Sequence, residues 1–249
     1  MATDAERDLF ESAVLAGVGR QAERLPASEI TGFLAMAGRA YDRRLMVMGR
    51  AVNGWGEGIL PAAVATTDAA TRYARRVQDS VAPGPNGECP MRWVTDSWGA
   101  PCGEYNTKRS AFWRAVRGVV ARVGMADVEQ PEWPSQLVWS NLYKVSPACR
   151  GNPSGGLRQI QLPGCLELLR LEVVTYGPRH LLLLTGNDWA APFLAAIGCS
   201  VHGGTGLSYV EWFGTCSLGG GHQMRCVVAA HPQGKPSAQW LQEVLLALQ

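Results

Sequence analysis

Hydrophobic residues along this 249-residue chain fall into short apolar runs that alternate with amphipathic stretches. Four runs have the length of a buried β-strand, and each ends at a glycine or at polar residues. "RHLLLLTG" is the plainest of them, because it is apolar almost throughout and should be covered on both faces of a sheet. The four predicted strands are 43–49, 137–141, 179–186 and 224–232.

The amphipathic stretches between these runs have helical spacing. Predicted helices cover 2–23, 28–40, 66–80, 107–123, a segment from about 164, 187–198 and 237–249. A weakly alternating segment, 206–215, predicts one arm of a hairpin, and the Pro- and Gly-rich stretch 80–90 predicts a linker. Because strands alternate with helices, we expect an α/β fold with a parallel sheet between helical layers.

Composition and charge narrow the class of protein only a little. Apolar residues make up 47% of the chain, charged residues 18%, and the net charge is +2. No apolar run is long enough to span a membrane. The acidic start "MATDAERDLFESAV" is unlike a signal peptide, so we expect a cytoplasmic protein. Two basic stretches, 72–78 and 108–122, are either solvated helix faces or phosphate-binding surfaces.

Seven cysteines are scattered along the chain. Their number is odd and no CxxC pair occurs, so we expect reduced thiols and neither a disulfide framework nor a zinc site. They lie at positions 89, 102, 149, 165, 199, 216 and 226.

The carboxyl ends of the predicted strands carry the most informative residues, because open α/β sheets bind ligands at that edge. "GRAVNGW" (49–55) follows the first strand, "SNLYKVSP" (140–147) ends the second, and "HPQGKPS" (231–237) follows the last. "TGNDW" follows the third strand and predicts a helix cap. The order of these landmarks, over residues 43–248, resembles the uracil-DNA glycosylase superfamily.

The resemblance implies a single glycosylase-like domain over residues 1–249, in which 1–40 is a helical N-terminal extension. It implies a three-layer α/β/α sandwich with a central four-stranded parallel sheet. It also implies a monomeric enzyme that needs no metal or cofactor, binds DNA and not membranes, and hydrolyses the glycosidic bond of a flipped base in duplex or single-stranded DNA.

The chemistry of base excision assigns roles to the matched residues. His231 would donate a hydrogen bond to the pyrimidine O2, where negative charge grows as the bond breaks. The Asn141 amide offers both a donor and an acceptor with which to read the polar edge of the base. Lys235 occupies the wedge position of the last loop, and it would contact DNA together with Ser237 and Lys144.

The first motif departs from the superfamily at the position where an acid often stands, which here is Ala51. Asn53 is the candidate that positions the attacking water. It also falls where the uracil-specific class has a tyrosine that blocks 5-substituted bases, and it cannot easily serve both purposes. A pocket open to 5-modified pyrimidines is therefore expected. The substrate-binding candidates of this loop are Gly49, Arg50, Ala51, Gly54 and Trp55.

The residues leave several alternatives open. We expect removal of a 5-modified pyrimidine, such as glucosylated 5-hydroxymethylcytosine in phage DNA, as host defence. Repair of uracil or 5-hydroxymethyluracil is the alternative within the class, and recognition of modified DNA without cleavage is the alternative outside it. Trp55 and Trp93 are both candidates to stack on a flipped base. Cys165 matches one iron–sulfur ligand of one superfamily class, but Val145 stands at its partner position, so no cluster is expected. The Gly-rich segment 202–222 is a surface insertion or a substrate loop.

Overall fold

The computed structural model describes residues 2–101, 105–149, 151–199, 206–218 and 222–249. It has an α/β fold with a mixed sheet. Residues 202–205 and 219–221 of the Gly-rich segment and the side chain of His222 lie outside the described residues, as do the expectations about them, whereas Val210–Leu218 of the same segment form a strand of the sheet. No helix of the described part has both the length and the apolar character needed to cross a membrane.

Most helices follow the amphipathic stretches of the sequence. The short helix at Trp93–Asp96 was not predicted, and the helix predicted over 28–40 is discussed below. The first helix is interrupted by a π-helical turn at Phe10–Leu15 between α1 and α2. The α-helices are α1 Asp4–Leu9, α2 Ala16–Arg20, α3 Thr67–Ser80, α4 Trp93–Asp96, α5 Ala111–Arg122, α6 Gly155–Tyr176, α7 Asn187–Ala196 and α8 Ser237–Leu248.

The main sheet contains all four predicted strands. Its order is β2-β4-β3-β6-β8-β7, where β6 pairs in parallel with both β3 and β8, and β7 pairs antiparallel with β8. A two-stranded antiparallel sheet joins β1 to β5. The strands are β1 Ile30–Gly32, β2 Met36–Ala37, β3 Leu45–Ala51, β4 Leu137–Tyr143, β5 Val145–Pro147, β6 His180–Leu183, β7 Val210–Leu218 and β8 His222–Ala229.

The chain divides into two compact units. The first contains residues 1–36, 49–82 and 140–175, and the second contains 37–48, 83–139 and 176–249. In the second unit, Met48, Leu183 and Val228 stand in register on the three parallel strands, so these strands end at one edge of the sheet. Leu181–Leu184 are completely buried, as predicted for a strand covered on both faces.

The helix predicted over 28–40 is wrong, and with it the wholly helical character of the 1–40 extension. This segment forms β1 and β2 instead. Ile30 exchanges backbone hydrogen bonds with Ile59, and β1 pairs residue by residue with β5, so partners distant in sequence determine its conformation. Gly38 lies so close to Ser135 that a Cβ there would stand 2.2 Å from the Ser135 carbonyl oxygen.

Helix α6 begins nine residues earlier than predicted. Ser154 Oγ accepts a hydrogen bond from the Leu157 amide at 3.2 Å, which caps the helix at Gly155. Pro163 lies inside the helix, although proline is typical of a first turn and lacks the amide hydrogen of an interior position. The prediction placed the start of the helix at this proline and missed the serine cap.

The expectation of reduced thiols throughout is also wrong. Cys199, after α7, forms a disulfide with Cys216 of β7. The two cysteines lie 17 residues apart, and no sequence motif marks the pair. Cys89, Cys149, Cys165 and Cys226 are free thiols, of which Cys149 is exposed.

Candidate functional site

Asn141 lies within the completely buried strand β4, in the first unit. Its side chain is 2% exposed, and among the described residues its Nδ2 has no hydrogen-bond partner. A buried amide nitrogen without an acceptor costs about 1–3 kcal/mol, and folded proteins rarely keep one without a reason. The position is therefore costly to the free protein and suited to a ligand that brings an acceptor.

An ion pair holds the same end of β4 against helix α6. Lys144 Nζ lies 2.5 Å from Glu172 Oε1 and 2.7 Å from Ser140 Oγ, and all three side chains are completely buried. The Ser140 hydroxyl also lies 3.1 Å from both carboxylate oxygens. The prediction that Lys144 contacts DNA is wrong, because its ammonium group faces the interior and is bound there.

Burial raises the pKa of Glu172 to about 7, although the nearby Lys144 ammonium and the hydrogen bonds oppose the rise. The buried Glu6 carboxyl adds to it. Burial also raises the pKa of Cys165, on the same helix, to about 12. A buried thiol of that kind is unreactive, which agrees with a packing role.

Gln161 of α6 fixes the chain just beyond Asn141. Its amide accepts from the Val145 N–H at 2.9 Å and donates to the Val145 carbonyl at 2.8 Å. On the other side, β5 pairs with β1, and the Phe33 amide donates to the Lys144 carbonyl at 2.9 Å. The segment that carries Asn141 is therefore held from both sides by buried hydrogen bonds.

The predicted substrate loop follows β3 in the same unit. Gly49 is buried at the end of the strand, Arg50 and Ala51 are half-buried, and Gly54 has the positive φ of +72° that favours glycine. Asn53 is exposed, and its Oδ1 accepts a hydrogen bond from the Gly151 amide at 2.7 Å. The amide of Asn53 therefore joins two loops, a role that the sequence did not predict.

Trp55 forms one wall of a cavity of about 380 Å³ in this unit. Its indole nitrogen donates to Ser80 Oγ at 3.2 Å, and its ring meets Phe33 edge to face. The volume is within the range of small-molecule sites. The other lining residues are Gly32, Gly56, Glu57, Tyr73, Arg76, Val77, Asp79 and Ser80.

One residue of the cavity wall is paired with the strand that follows Asn141. Gly32, which lines the cavity, pairs with Val145 in the small sheet. The buried Tyr73 hydroxyl accepts from the Gly32 amide at 2.8 Å and donates to the Glu57 carbonyl at 3.1 Å. Glu57 also forms an exposed ion pair with Arg76, so the cavity presents an aromatic ring beside charged hydrogen-bonding groups.

His231 belongs to the second unit and follows β8 at the edge where the parallel strands end. It is half-buried, and its Nδ1 accepts a hydrogen bond from the Gln233 amide at 3.3 Å. Because Nδ1 acts as an acceptor, the proton of the neutral ring lies on Nε2. Nε2 therefore has the donor character that the predicted role requires.

Residues 233–237 of the last loop are exposed. The Lys235 ammonium lies 6.0 Å from the centre of the Tyr209 ring, and Ser237 begins helix α8. Both are accessible to a phosphate backbone. Trp93 packs against Trp113 and Trp139, with ring centres 5.4 Å away in each case, so a structural role explains it better than base stacking.

The sequence predicted Asn141 and His231 at strand ends, but it missed the polar residues that support them. Glu172 and Gln161 lie on α6, and their only signal was a charged or polar residue in an otherwise apolar stretch, "LLRLEVV" and "QIQLPG".

The cap of α7 is also different from the prediction. Glu211 of β7 accepts from the Asn187 amide at 2.5 Å, where a cap from Asn187 or Asp188 was expected.

No family model matches this chain. No curated protein matches it either. Among solved structures, it is similar to a domain of unknown function (DUF1537) from Bordetella bronchiseptica, crystallised with bound citrate as a domain-swapped dimer. The two are 22% identical over 55% of this chain and 30% of the other, with a TM-score of 0.28. That likeness is too weak to inform the site.

Proposed function

We propose that this protein is a monofunctional DNA glycosylase, which hydrolyses the bond between a flipped pyrimidine and its deoxyribose and leaves an abasic site. The proposal includes the finer architecture that the sequence resemblance implies, a four-stranded parallel sheet in a three-layer sandwich. It also includes the expectation of a monomeric cytoplasmic enzyme that acts on DNA without a metal or cofactor.

The buried Nδ2 of Asn141 carries the proposal. A pyrimidine edge presents an acceptor that would satisfy this nitrogen, and the amide oxygen would accept a hydrogen bond in return. Since the side chain is only 2% exposed, the base reaches it when neighbouring side chains move apart. Ser140, Lys144 and Val145, each held by α6, keep the backbone of this strand in place during that movement.

The donor character of His231 Nε2 supports the chemical step. When the glycosidic bond breaks, electrons move onto the base, and a donor at the pyrimidine O2 stabilises that charge. Water attacks the sugar carbon C1′ and loses a proton, which finally neutralises the departing base anion. The base leaves with the bonding electron pair, and the sugar keeps the new hydroxyl group. Asn53 is the residue we propose to orient this water, with its side chain tethered to Gly151.

The cavity beside Trp55 favours a base with a large substituent. Its volume of about 380 Å³ exceeds what uracil alone needs, and its aromatic wall next to Glu57 and Arg76 suits a polar, ring-shaped group. A hexose on a 5-hydroxymethylpyrimidine has this chemistry. We therefore favour glucosylated 5-hydroxymethylcytosine, as in modified phage DNA, over uracil as the substrate.

The test is incubation with matched duplexes that carry uracil, 5-hydroxymethyluracil, 5-hydroxymethylcytosine or its glucosylated form, followed by alkali to break abasic sites. We expect cleavage only with the preferred base. Asn141→Ala and His231→Ala should each lower the rate by about 100-fold or more, as loss of one transition-state donor commonly does. Asn86→Ala removes an exposed amide and is the matched control.

The same reactions separate the alternatives. Cleavage of uracil duplexes with no preference for modified bases would move the assignment to repair. Intact strands from a protein that binds modified DNA more tightly than plain DNA would show recognition without catalysis, for which the absence of an acid at Ala51 gives a reason.

A further inference from the structure

Three cysteine sulfurs of the second unit meet at one place, although they are far apart in sequence. The Sγ atoms of Cys199, Cys216 and Cys226 all lie within 4.8 Å of one another. Cys216 and Cys226 are completely buried, and Cys199 is half-buried. None of the three cysteines has a role in the proposed glycosylase reaction, so their explanation is independent of that function.

The β7–β8 hairpin explains how two of the three meet. Cys216 pairs with Met224, and Cys226 lies two residues further along β8, so both side chains point to the same face of the sheet. Cys199 follows helix α7 and forms an isolated bridge with Cys216. The residue that follows α7 therefore brings a third sulfur to the two sulfurs that the register of the hairpin places side by side.

A disulfide needs only two of these sulfurs and leaves Cys226 as a buried thiol beside it. Zinc bonds to thiolates at about 2.3 Å, so neighbouring sulfurs of a tetrahedral site stand roughly 4 Å apart. In the oxidised protein the Cys199 and Cys216 sulfurs are bonded to each other, and the Cys226 sulfur lies within 4.8 Å of both, so the three need to separate only slightly after reduction to reach that spacing. We propose that, when the disulfide is reduced, Cys199, Cys216 and Cys226 bind one thiophilic divalent ion, of which zinc is the representative.

The redox and proton balance of this step is simple. A dithiol or phosphine reductant supplies two electrons to the Cys199–Cys216 bond, and two protons complete the thiols. Binding of the metal then displaces three thiol protons, one from each cysteine. The half-buried side at Cys199 leaves the fourth coordination position to water. Burial raises the pKa of the Cys226 thiol, and the charge of the ion offsets that cost.

The site would be structural. It would join the end of α7 to the β7–β8 hairpin in the reduced protein, as the disulfide does in the oxidised one. The metal and the disulfide would therefore be alternative cross-links between the same elements. Soft thiolate ligands would select zinc or cadmium over magnesium or calcium.

Cobalt titration of the full-length chain tests the proposal. The protein is reduced anaerobically with a phosphine, and Co²⁺ is added while absorbance is recorded. We expect thiolate-to-cobalt charge-transfer bands that saturate at one ion per chain and are lost when Zn²⁺ is added. The disulfide-bonded protein should give no such bands. Cys226→Ala should weaken binding by at least about tenfold, whereas Cys89→Ser and Cys149→Ser should leave it unchanged.

A second measurement covers the case in which Cys226→Ala does not fold. Thiols of the reduced wild-type chain are counted with a thiol reagent in the presence and absence of one equivalent of Zn²⁺. The proposal expects three thiols to be protected, and peptide mapping should identify them as Cys199, Cys216 and Cys226. Absence of charge-transfer bands, equal protection with and without zinc, or cobalt binding by folded Cys226→Ala at wild-type affinity would each overturn it.

Discussion

The end of β4 and the loop after β8 carry the two most important candidate residues in opposite surroundings. Around Asn141, the side chains of Ser140, Lys144, Gln161 and Glu172 are completely buried and joined by hydrogen bonds. Around His231, the loop residues 233–237 are exposed, and the histidine ring accepts one bond from its own turn. A strand-end motif therefore says which residues are near the edge of a sheet, but not how deeply each is buried.

The same difference in burial distinguishes two lysines for which the sequence predicted the same role. Lys144 and Lys235 were both predicted to contact DNA. Lys144 is completely buried in an ion pair, and Lys235 is exposed over the Tyr209 ring. The buried lysine contributes to stability, whereas the exposed one remains a candidate for phosphate contact. The four predictions below test this contrast.

The largest effect is expected from Lys144→Ala. It leaves the Glu172 carboxyl buried without its cation, and breaking a buried pair in this way costs about 3–5 kcal/mol. Urea unfolding should show this loss in the free energy of unfolding at neutral pH. A loss below about 1 kcal/mol would mean that the Glu172 carboxyl is neutralised when its cation is removed, by a proton or by water and another cation that reach it.

A smaller effect is expected from pH. The pKa of Glu172 is about 7 in the folded chain, against 4.5 for the ordinary group. Between these values the folded chain binds the proton more tightly, so this group's contribution is complete below about 4.5 and is lost as the pH rises through about 7. Between about pH 5 and pH 8, the wild type should lose stability relative to Glu172→Gln, which cannot ionise. Parallel stability curves for the two proteins would contradict the raised pKa.

Asn141→Leu should change stability in the opposite direction. The replacement keeps the branched shape of the side chain and removes a buried donor that has no acceptor within the described residues, so the free energy of unfolding should rise by about 1 kcal/mol. Cleavage of modified DNA should be lost at the same time. A stable protein without activity would mark Asn141 as a residue kept for its ligand, whereas a clear loss of stability would show that its amide has a structural role.

The smallest effect on folding is expected from Lys235→Ala. Substitutions on an exposed surface usually change stability by no more than about 0.5 kcal/mol. The variant should instead bind DNA more weakly, and equally so for all sequences. The slope of the logarithm of its binding constant against the logarithm of the salt concentration should fall by about one. Fluorescence anisotropy at several salt concentrations measures this slope, and an unchanged slope would exclude Lys235 from the phosphate contacts.

Much of the fold could be predicted because the strands and helices concerned are formed by local patterns. The run "RHLLLLTG" became β6 with its leucines completely buried, and 66–80 became helix α3. The helix prediction for residues 28–40 failed for the opposite reason. Their amphipathic spacing suits a helix, but Ile30–Gly32 find backbone partners at Val145–Pro147, more than a hundred residues away.

The site was less predictable than the fold, because burial decides the role of a polar residue and one sequence does not reveal burial. Lys144 follows Ser140 by four residues within a mostly apolar run, and nothing in that run identifies Glu172 as its partner. The sequence prediction missed the disulfide for the same kind of reason. Cys199 and Cys216 meet only because α7 and β7 bring them together.

The pairing of β1 with β5 gives the first forty residues a structural role. The sequence predicts them as a helical extension of the domain, yet Gly32 lies opposite Val145, four positions after Asn141, and the Phe33 amide donates to the Lys144 carbonyl. Any shortened form of this protein that is made to test the proposed activity should therefore keep the segment. A fragment that starts at β3 would expose the backbone of β5, just beyond Asn141, to solvent, and a loss of activity in it would say nothing about the proposed chemistry of the full-length chain.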